Sequence, residues 1–527
     1  ASSLSMSDAR LSVCILAAGK GTRMGDASSW LPKPLLPIDG KAMVSHAIDR
    51  VPAGIPIVLA LGHEADLIAG YIEHAHPDRH IHVVRVKNHD GPGSGPGASL
   101  LECKPFLPGP FIIWAVDALF AIDTELPFGA CDDWIGVADV DDVSRFCAVE
   151  TPDGVYVSLL HDKSSVGRGL AFIGVASVYD TGVFWSSLAA SSNISAELQL
   201  SHGLEGLVAQ GLGVEHIVGW FDVGTHDGYA SMTPGCGLAK PGEVTYDVGR
   251  RIVKSFRDEA RAAARASRAQ SLAHVCPQSV RQSDGYMSYT KVQGKTAYEA
   301  LHDDPGIPAR FFTWARENLW QPVRFEDEFA AATDMFYRKK THARLDAFFA
   351  ANHGIDRHAA HRVNCAYVAS CDDLITRVDW NALSHGIPAN IHGDLQFDNV
   401  IVSSDGSFTL IDWREDFGGL EYGDIYYDLA KLYGGLTVSY NAMKHNCYAL
   451  SVDGNTVTFA FGSHDALDVA RNEFVDFAVA AGYDMGRIAV LRGIVHLNMA
   501  PLHPNPMGLL FFYAGMFYLQ QALGQAA

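Results

Sequence analysis

Residues 233–243, TPGCGLAKPGE, are rich in glycine and proline and have no hydrophobic period. They can neither continue a helix nor fill a strand, so they read as a linker. The patterns on either side differ, and a chain of 527 residues is too long for one ordinary core. Together these features require two separately built halves with a boundary near residue 238. We divide the chain into a domain over 11–235, a linker over 236–243 and a second domain over 244–527.

In the first half strand and helix signals alternate. Ser12–Ala17, Ile55–Leu61, His80–Val86 and Phe111–Val116 read as strands, with helices over Ala42–Arg50 and Glu64–Glu73. Such alternation predicts an α/β domain with a largely parallel sheet covered on both faces. Ligands then bind beyond the carboxyl ends of the strands. In the second half Val244–Phe256 predicts a β-hairpin and Asp258–Ala273 an Ala/Arg-rich helix. Helical signals dominate after Tyr298, broken by a hairpin-like stretch from Ile391 to Asp412.

The net charge of −20 argues against a nucleic-acid partner, which needs a basic face. It leaves nucleotides open, because a few placed cations and a metal ion suffice for one small anion. Hydrophobic content of 48% and charged content of 19% suit a soluble globular protein. The nine cysteines show no paired spacing and read as reduced thiols of a cytoplasmic protein. The apolar run Leu509–Leu519 is short of the ~20 residues that span a bilayer and reads as a core helix. The oligomeric state is not readable.

The first chemical constellation is LAAGKGTRMG at 16–25, which follows a strand. Its backbone N–H groups, freed by glycine, can face an anion. Arg23 can add a bidentate contact. Lys33 follows in LPKPLLPIDGK, held between Pro32 and Pro34. A fixed ammonium beside a phosphate loop suits charge developing during phosphate transfer. The glycines alone also fit a structural strand–turn–helix, or a dinucleotide loop whose third glycine is replaced by Met24.

LAAGKGTRM followed by LPKPLLPIDGKAM resembles the signature of the sugar-phosphate nucleotidyltransferases, which include the cytidylyltransferases that activate phosphocholine. The likeness runs over about residues 11–230 and implies a Rossmann-like, GT-A-like domain. By this resemblance Gly19, Gly21, Thr22, Arg23 and Lys33 hold the triphosphate, with Lys33 and Arg23 catalytic, and Leu16, Ala17 and Ala18 belong to the nucleotide-binding stretch. Gly93, Ser94 and Gly95, in GPGSGPGASLL, match the loop near base and ribose. Asp117 in WAVDALF and Asp222 in WFDVGTHDGY match the Mg²⁺ ligands. Singly, each aspartate also fits a cap or a turn.

The second constellation is IHGDLQFDN at 391–399. Asp394 and Asn399 have the spacing of a kinase catalytic loop, and Asp412 follows in LIDWRE. A hairpin would bring Asn399 and Asp412 together to hold Mg²⁺, while Asp394 accepts the proton of a substrate hydroxyl. The pattern resembles the choline-kinase and aminoglycoside-phosphotransferase family, whose fold is that of protein kinases. In GDIYYDLAKLYGG, Asp424 and Asp428 are expected to brace the catalytic loop. Lys254, in RRIVKSF, takes the place of the ATP-binding lysine, with Glu259 as a possible partner, although no glycine-rich loop precedes it. Tyr289 to Val292 resemble the hinge near adenine. Trp413, Tyr426 and Tyr427 suggest either a cation–π box for choline or core packing.

The two resemblances imply a bifunctional enzyme. One half would phosphorylate a small hydroxylated molecule, a sugar or an amino-alcohol, with ATP. The other would transfer a nucleotidyl group from CTP or UTP, with a lean towards CTP, to make a precursor for a surface glycan. The alternatives are a degenerate, regulatory kinase half and a non-catalytic nucleotide-sensing scaffold.

Overall fold

The computed structural model describes residues 11–22, 30–162, 166–192, 197–233, 242–324, 328–438, 443, 447–462 and 465–524. The chain divides into two compact units. The first comprises 1–259 and 281–288, the second 260–280 and 289–527.

In the first unit, β1 (Ser12–Ala17) pairs in parallel with Ile57–Leu61 on one side and Phe111–Ala115 on the other. Ile57–Leu61 pairs in parallel with Ile81–Arg85. All six residues of β1 are buried. Val13, Ile15 and Ala17 enter one core, Cys14 and Leu16 the other. A strand covered on both faces reads as a continuous apolar run, which is why SVCILA lacks alternation. The expectation of a largely parallel sheet is corrected for the rest of the unit. Gly169–Val178 runs antiparallel to Phe111–Ala115 and to Trp134–Val140, and Cys147–Glu150 antiparallel to Leu159–Asp162. The nine-stranded sheet is therefore mixed. Among the described residues between 134 and 178 no α-helix connects the strands, and a parallel crossover needs such a connection.

A smaller sheet of four strands has the order Glu243–Asp247, Arg251–Phe256, Tyr286–Thr290, Arg281–Ser283. Its first two strands form the expected hairpin. Val244, Tyr246, Val253 and Tyr286 join the same core as Val13 and Ile15. Tyr246 meets Tyr71 of the helix Ala65–Ala75 edge-on, with ring centroids 4.9 Å apart. Its hydroxyl donates to the Leu35 carbonyl at 2.6 Å. On the same helix His74 is held between Ser288 and Ser283, at 2.7 and 2.8 Å. Burial pushes its pKa down to about 4, so the ring is neutral. These contacts place residues 243–259 and 281–288 in the first unit. The linker residues 234–241 lie outside the described residues.

The second unit is mainly helical. Ile307–Asn318, Lys340–Ala351, Ile425–Gly435, Asp465–Ala480, Met485–Met499 and Met507–Gly524 are its longer helices after residue 289. Met507–Gly524 buries Leu510, Phe511, Phe512 and Tyr513 as core residues. Among the described residues no helix is long and apolar enough to cross a membrane. The short antiparallel hairpin Val400–Val402 and Phe408–Leu410 carries the residues that matter most below.

Candidate active sites

In the first unit the chain leaves β1 at Ala17 and turns through Ala18, Gly19 and Gly21 to Thr22, the last described residue before Lys33's segment opens at 30. Leu16, Ala17 and Ala18 are buried, whereas Gly19 and Thr22 are exposed. Arg23 lies outside the described residues. Lys33 begins a short 3-10 turn, Lys33–Leu35, and is itself buried. Gly21 has φ +67°, and a Cβ on it would stand 2.8 Å from the Lys33 Cβ. Glycine is therefore required twice over at position 21, by backbone angle and by the lysine stem lying against it.

The Lys33 ammonium donates to Asp117 Oδ2 at 2.5 Å. Asp117 sits in the turn between Phe111–Ala115 and Ala118–Phe120, beyond the carboxyl end of a sheet strand. Trp220–Asp222 pairs antiparallel with Ala118–Phe120, Asp222 opposite Ala118. That register puts the two aspartates beside each other. Asp222 also accepts from the Gly224 N–H at 3.0 Å and from Arg145 at 3.1 Å. A Cβ on Gly224 would lie 2.9 Å from Asp117 Oδ2, 3.0 Å from Asp222 Oδ1 and 3.7 Å from Lys33 Nζ. Two carboxylates and an ammonium thus converge on one point above a bare glycine. Among the described residues no cluster of three or more His, Cys, Asp or Glu has metal-binding geometry. Two carboxylates nevertheless suit Mg²⁺, which takes one or two from protein and the rest from phosphates and water.

A cavity of about 270 Å³ opens beside this point, lined in part by Asp117, Arg145, Phe146, Glu197, Trp220 and Asp222. Ser201 also lines it, and both Ser201 Oγ and the Nε1 of Trp220 are buried without a hydrogen-bond partner. Buried polar groups are normally satisfied, so such atoms mark where a ligand can bind. Gly93, Ser94 and Gly95 form the loop entering the helix Pro96–Cys103. The Ser94 carbonyl accepts from Leu198 N at 2.9 Å. Lys20 of the glycine turn donates to Asp90 at 2.5 Å, tying the two loops together. Gly224→Ala should cut nucleotidyl transfer at least about tenfold, since the new methyl displaces a carboxylate, with little change in Tm. Pyrophosphate release and thermal unfolding check this.

In the second unit the loop 391–399 precedes the hairpin. Asp428 braces it as expected, accepting from the backbone N–H groups of His392 and Gly393 at 2.7 and 2.8 Å, and from Trp320 Nε1 at 3.1 Å. Asp424 departs from expectation. It accepts from Ile387 N, Tyr426 N, Tyr337 Oη and Arg487 and does not reach the loop. His392 is fully buried; burial lowers its pKa, against the pull of Asp428 and Asp394. Its neutral ring can donate from Nε2 to the Ile411 carbonyl while Nδ1 accepts from Asp394 N. Asn399 donates to the Asp394 carbonyl at 2.8 Å, and Ile411 N donates to the Asn399 carbonyl at 2.9 Å. The hairpin therefore brings Asp394, Asn399 and Asp412 into one neighbourhood. Asp412 has φ +62°, a left-handed angle uncommon outside glycine and frequent at functional sites.

Lys254 stands on the strand Arg251–Phe256, as the sequence reading expects, with Glu243 rather than Glu259 beside it. It is buried in the first unit and its ammonium lies 3.4 Å from Glu243 Oε1. Glu259 is exposed. Thr245 stands opposite Lys254 in the hairpin, so Glu243, two residues along, shares its face. Tyr289 is buried against Trp413, and Val292 is half-buried. Trp413 is core, its indole N–H donating to the Arg265 carbonyl at 2.8 Å. Arg487 already covers Tyr426 at 4.8 Å. A choline box from these three aromatics is thus not formed.

Residues 13–126 match the family described as MobA-like NTP transferase domain. Residues 243–444 match the phosphotransferase enzyme family. The chain joins a MobA-like NTP transferase domain to a phosphotransferase-family domain. The transferase domain resembles the "Bifunctional protein GlmU" of Methanococcus maripaludis, 27% identical over 220 residues, which are 40% of this chain and 50% of that protein. It is also similar to the N-acetylmuramate alpha-1-phosphate uridylyltransferase of Neisseria meningitidis, 28% identical over 40% of this chain and 92% of that protein. The chain spans about half the length of the first of these curated relatives. A solved CTP:phosphocholine cytidylyltransferase from Streptococcus pneumoniae aligns with TM-score 0.36 and 17% identity, over 42% of this chain and 97% of that one.

Several residues of both domains escaped the sequence reading. Arg145 of the transferase domain reaches Asp222 through space, and no local pattern marks it, whereas Gly224 lies two residues after Asp222 in WFDVGTHDGY, where the aspartate–x–glycine turn was the available signal. Lys431 of the phosphotransferase domain stands 2.7 Å from Asp394 Oδ1. Its place three residues after Asp428, one helical turn on, was the available signal.

Proposed function

We propose that the protein phosphorylates a small hydroxylated molecule with ATP and then converts the product, with CTP or UTP, into a nucleoside-diphosphate derivative and pyrophosphate. The convergence of Lys33, Asp117 and Asp222 on Gly224 carries the second activity. In that step an oxygen of the acceptor phosphate bonds to the α-phosphorus of the NTP, and pyrophosphate leaves. The turn Gly19–Thr22 cradles the triphosphate, Arg23 adds a contact, and Lys33 meets the charge that develops. Gly93, Ser94 and Gly95 approach base and ribose. Ser201 and Trp220 offer the acceptor two unsatisfied polar atoms in the cavity.

The first activity rests on Asp394, Asn399 and Asp412. Asp394 takes the proton of the acceptor hydroxyl as its oxygen bonds to the γ-phosphorus and ADP leaves. The grouping of all three at one loop and hairpin favours catalysis over a degenerate, regulatory role. Lys254, Tyr289 and Val292 are proposed to contact ATP. Asp117 with Asp222, and Asn399 with Asp412, would each hold Mg²⁺. When bound, the ion offsets negative charge where anionic oxygens meet.

The base stays open between the sequence lean towards CTP and the name of the meningococcal relative, which favours UTP. The test supplies the protein with Mg²⁺, ATP, each NTP in turn and a panel of sugars and amino-alcohols. We expect one panel member to yield both its phosphate and its NDP derivative by mass spectrometry, and EDTA to stop both. A phosphate that accumulates while every NTP is untouched refutes the linked reading.

A further inference from the structure

Four cations crowd the neighbourhood of Asp394 in the phosphotransferase domain. Lys431 faces the carboxylate directly, at 2.7 Å. Arg414 follows Asp412 by two residues and packs against the catalytic loop. A Cβ on Gly393 would lie 2.6 Å from the Arg414 Cβ, and Arg414 N donates to the His392 carbonyl at 3.0 Å. Lys340 opens the helix Lys340–Ala351, and Arg344 stands one turn further along it. The Lys340 ammonium lies 3.8 Å from the Phe336 ring centroid and 5.9 Å from that of Tyr427, and the Arg414 guanidinium 5.1 Å from that of Phe336.

This arrangement is unfavourable as it stands. Like charges at i and i+4 on a helix repel. Lys340, Arg344 and Arg414 are half-buried, and no side-chain hydrogen bond or ion pair of theirs occurs among the described residues. The Nε of Arg414 is buried without a partner. Burial, then Arg414, Arg344 and Lys431, hold the Lys340 ammonium well below its ordinary pKa, with Asp394 opposing. Just before Lys340 the helix contains a π turn, Met335–Lys339, a distortion common at functional sites. It carries Phe336, whose ring meets Tyr427 at 4.8 Å. The local structure thus concentrates positive charge beside the proposed base and supplies no anion for most of it.

We propose that Lys340, Arg344 and Arg414 bind an anionic group of the phosphotransferase's acceptor, a carboxylate or a phosphonate, and so present its hydroxyl to Asp394. The inference rests on the phosphotransfer reading above and names the acceptor's chemical class. A quaternary ammonium is disfavoured, because Lys340 already occupies the face of the aromatic pair where it would sit. A hydroxy acid or sugar acid has the complementary charge.

The test uses the full chain and matched compounds: D-glucuronate against D-glucose, D-glycerate against glycerol, 2-hydroxyethylphosphonate against ethanol, with choline as the cationic arm. Thermal-shift titration reads binding, and ATP-dependent phosphorylation reads turnover. The anionic members should raise Tm, and at least one should be phosphorylated with kcat/KM about tenfold or more above its neutral partner. Lys340→Met and Arg344→Met should each raise KM for that acceptor, or its Kd, about tenfold, leaving KM for ATP within about twofold. Preference for a neutral compound or choline, no binding by any anion, or variants that raise KM for ATP in place of the acceptor would each overturn the inference. Anion binding that both variants abolish, without phosphorylation of any compound, would refute the phosphotransfer reading and with it the acceptor role proposed here, leaving only an anion-binding site.

Discussion

Replacing Asp394 by Asn is expected to slow ATP-dependent phosphorylation by about 10²–10⁴-fold while nucleotidyl transfer keeps its rate. The amide preserves shape but cannot take the hydroxyl proton. The loop itself should stay in place, because Asp428 fixes the N–H groups of His392 and Gly393, and Asn399 bonds the Asp394 main chain. The variant also removes the charge facing Lys431, so Tm must be measured alongside activity. A preserved Tm with lost phosphorylation assigns the effect to chemistry. Phosphorylation at the wild-type rate would refute Asp394 as the base.

The second large effect is expected from Lys33→Ala, about 10²–10³-fold in pyrophosphate release with ATP turnover unchanged. The ammonium donates to Asp117 while the lysine stem lies against Gly21 of the glycine turn, so one side chain links the two. Its truncation also leaves Asp117 beside Asp222 with less positive charge between them. Lys33→Arg should recover little, since the stem is pressed against Gly21 and the larger head has no room at the 2.5 Å contact. Coupled assay of pyrophosphate with a supplied acceptor phosphate measures both variants. Equal rates for Lys33→Ala and wild type would remove Lys33 from the mechanism.

What the sequence made legible was local. The buried strand Ser12–Ala17, the glycine turn and the hairpin after Asn399 are each encoded within about a dozen residues. Periodicity and glycine placement therefore suffice to read them. The pairing of Asp117 with Asp222 spans a hundred residues and was reachable only through family likeness. Gly224 is visible in the sequence only as the glycine of a turn after Asp222; that three side chains meet above it is not. The mixed half of the sheet was missed because a short buried strand reads alike in parallel and antiparallel ladders. Glu259 could be read either as a partner of Lys254 or as an exposed helical residue; it is exposed, and the partner Glu243 comes from the paired strand, which no local spacing reveals. The basic group around Asp394 is assembled from three segments, of which only Lys340 and Arg344 share one.

The hydroxyl of Tyr246 on the Leu35 carbonyl has a genetic consequence. Tyr246 falls within the stretch matching the phosphotransferase family, yet it props the turn that carries Lys33. A gene broken at the glycine–proline stretch would encode a transferase without that prop and with the aromatic face of Tyr71 laid open. Fission there would strip the upstream product of a buried hydrogen bond and an edge-on aromatic contact. The two reading frames, once joined, are held together by a tyrosine that serves the earlier one.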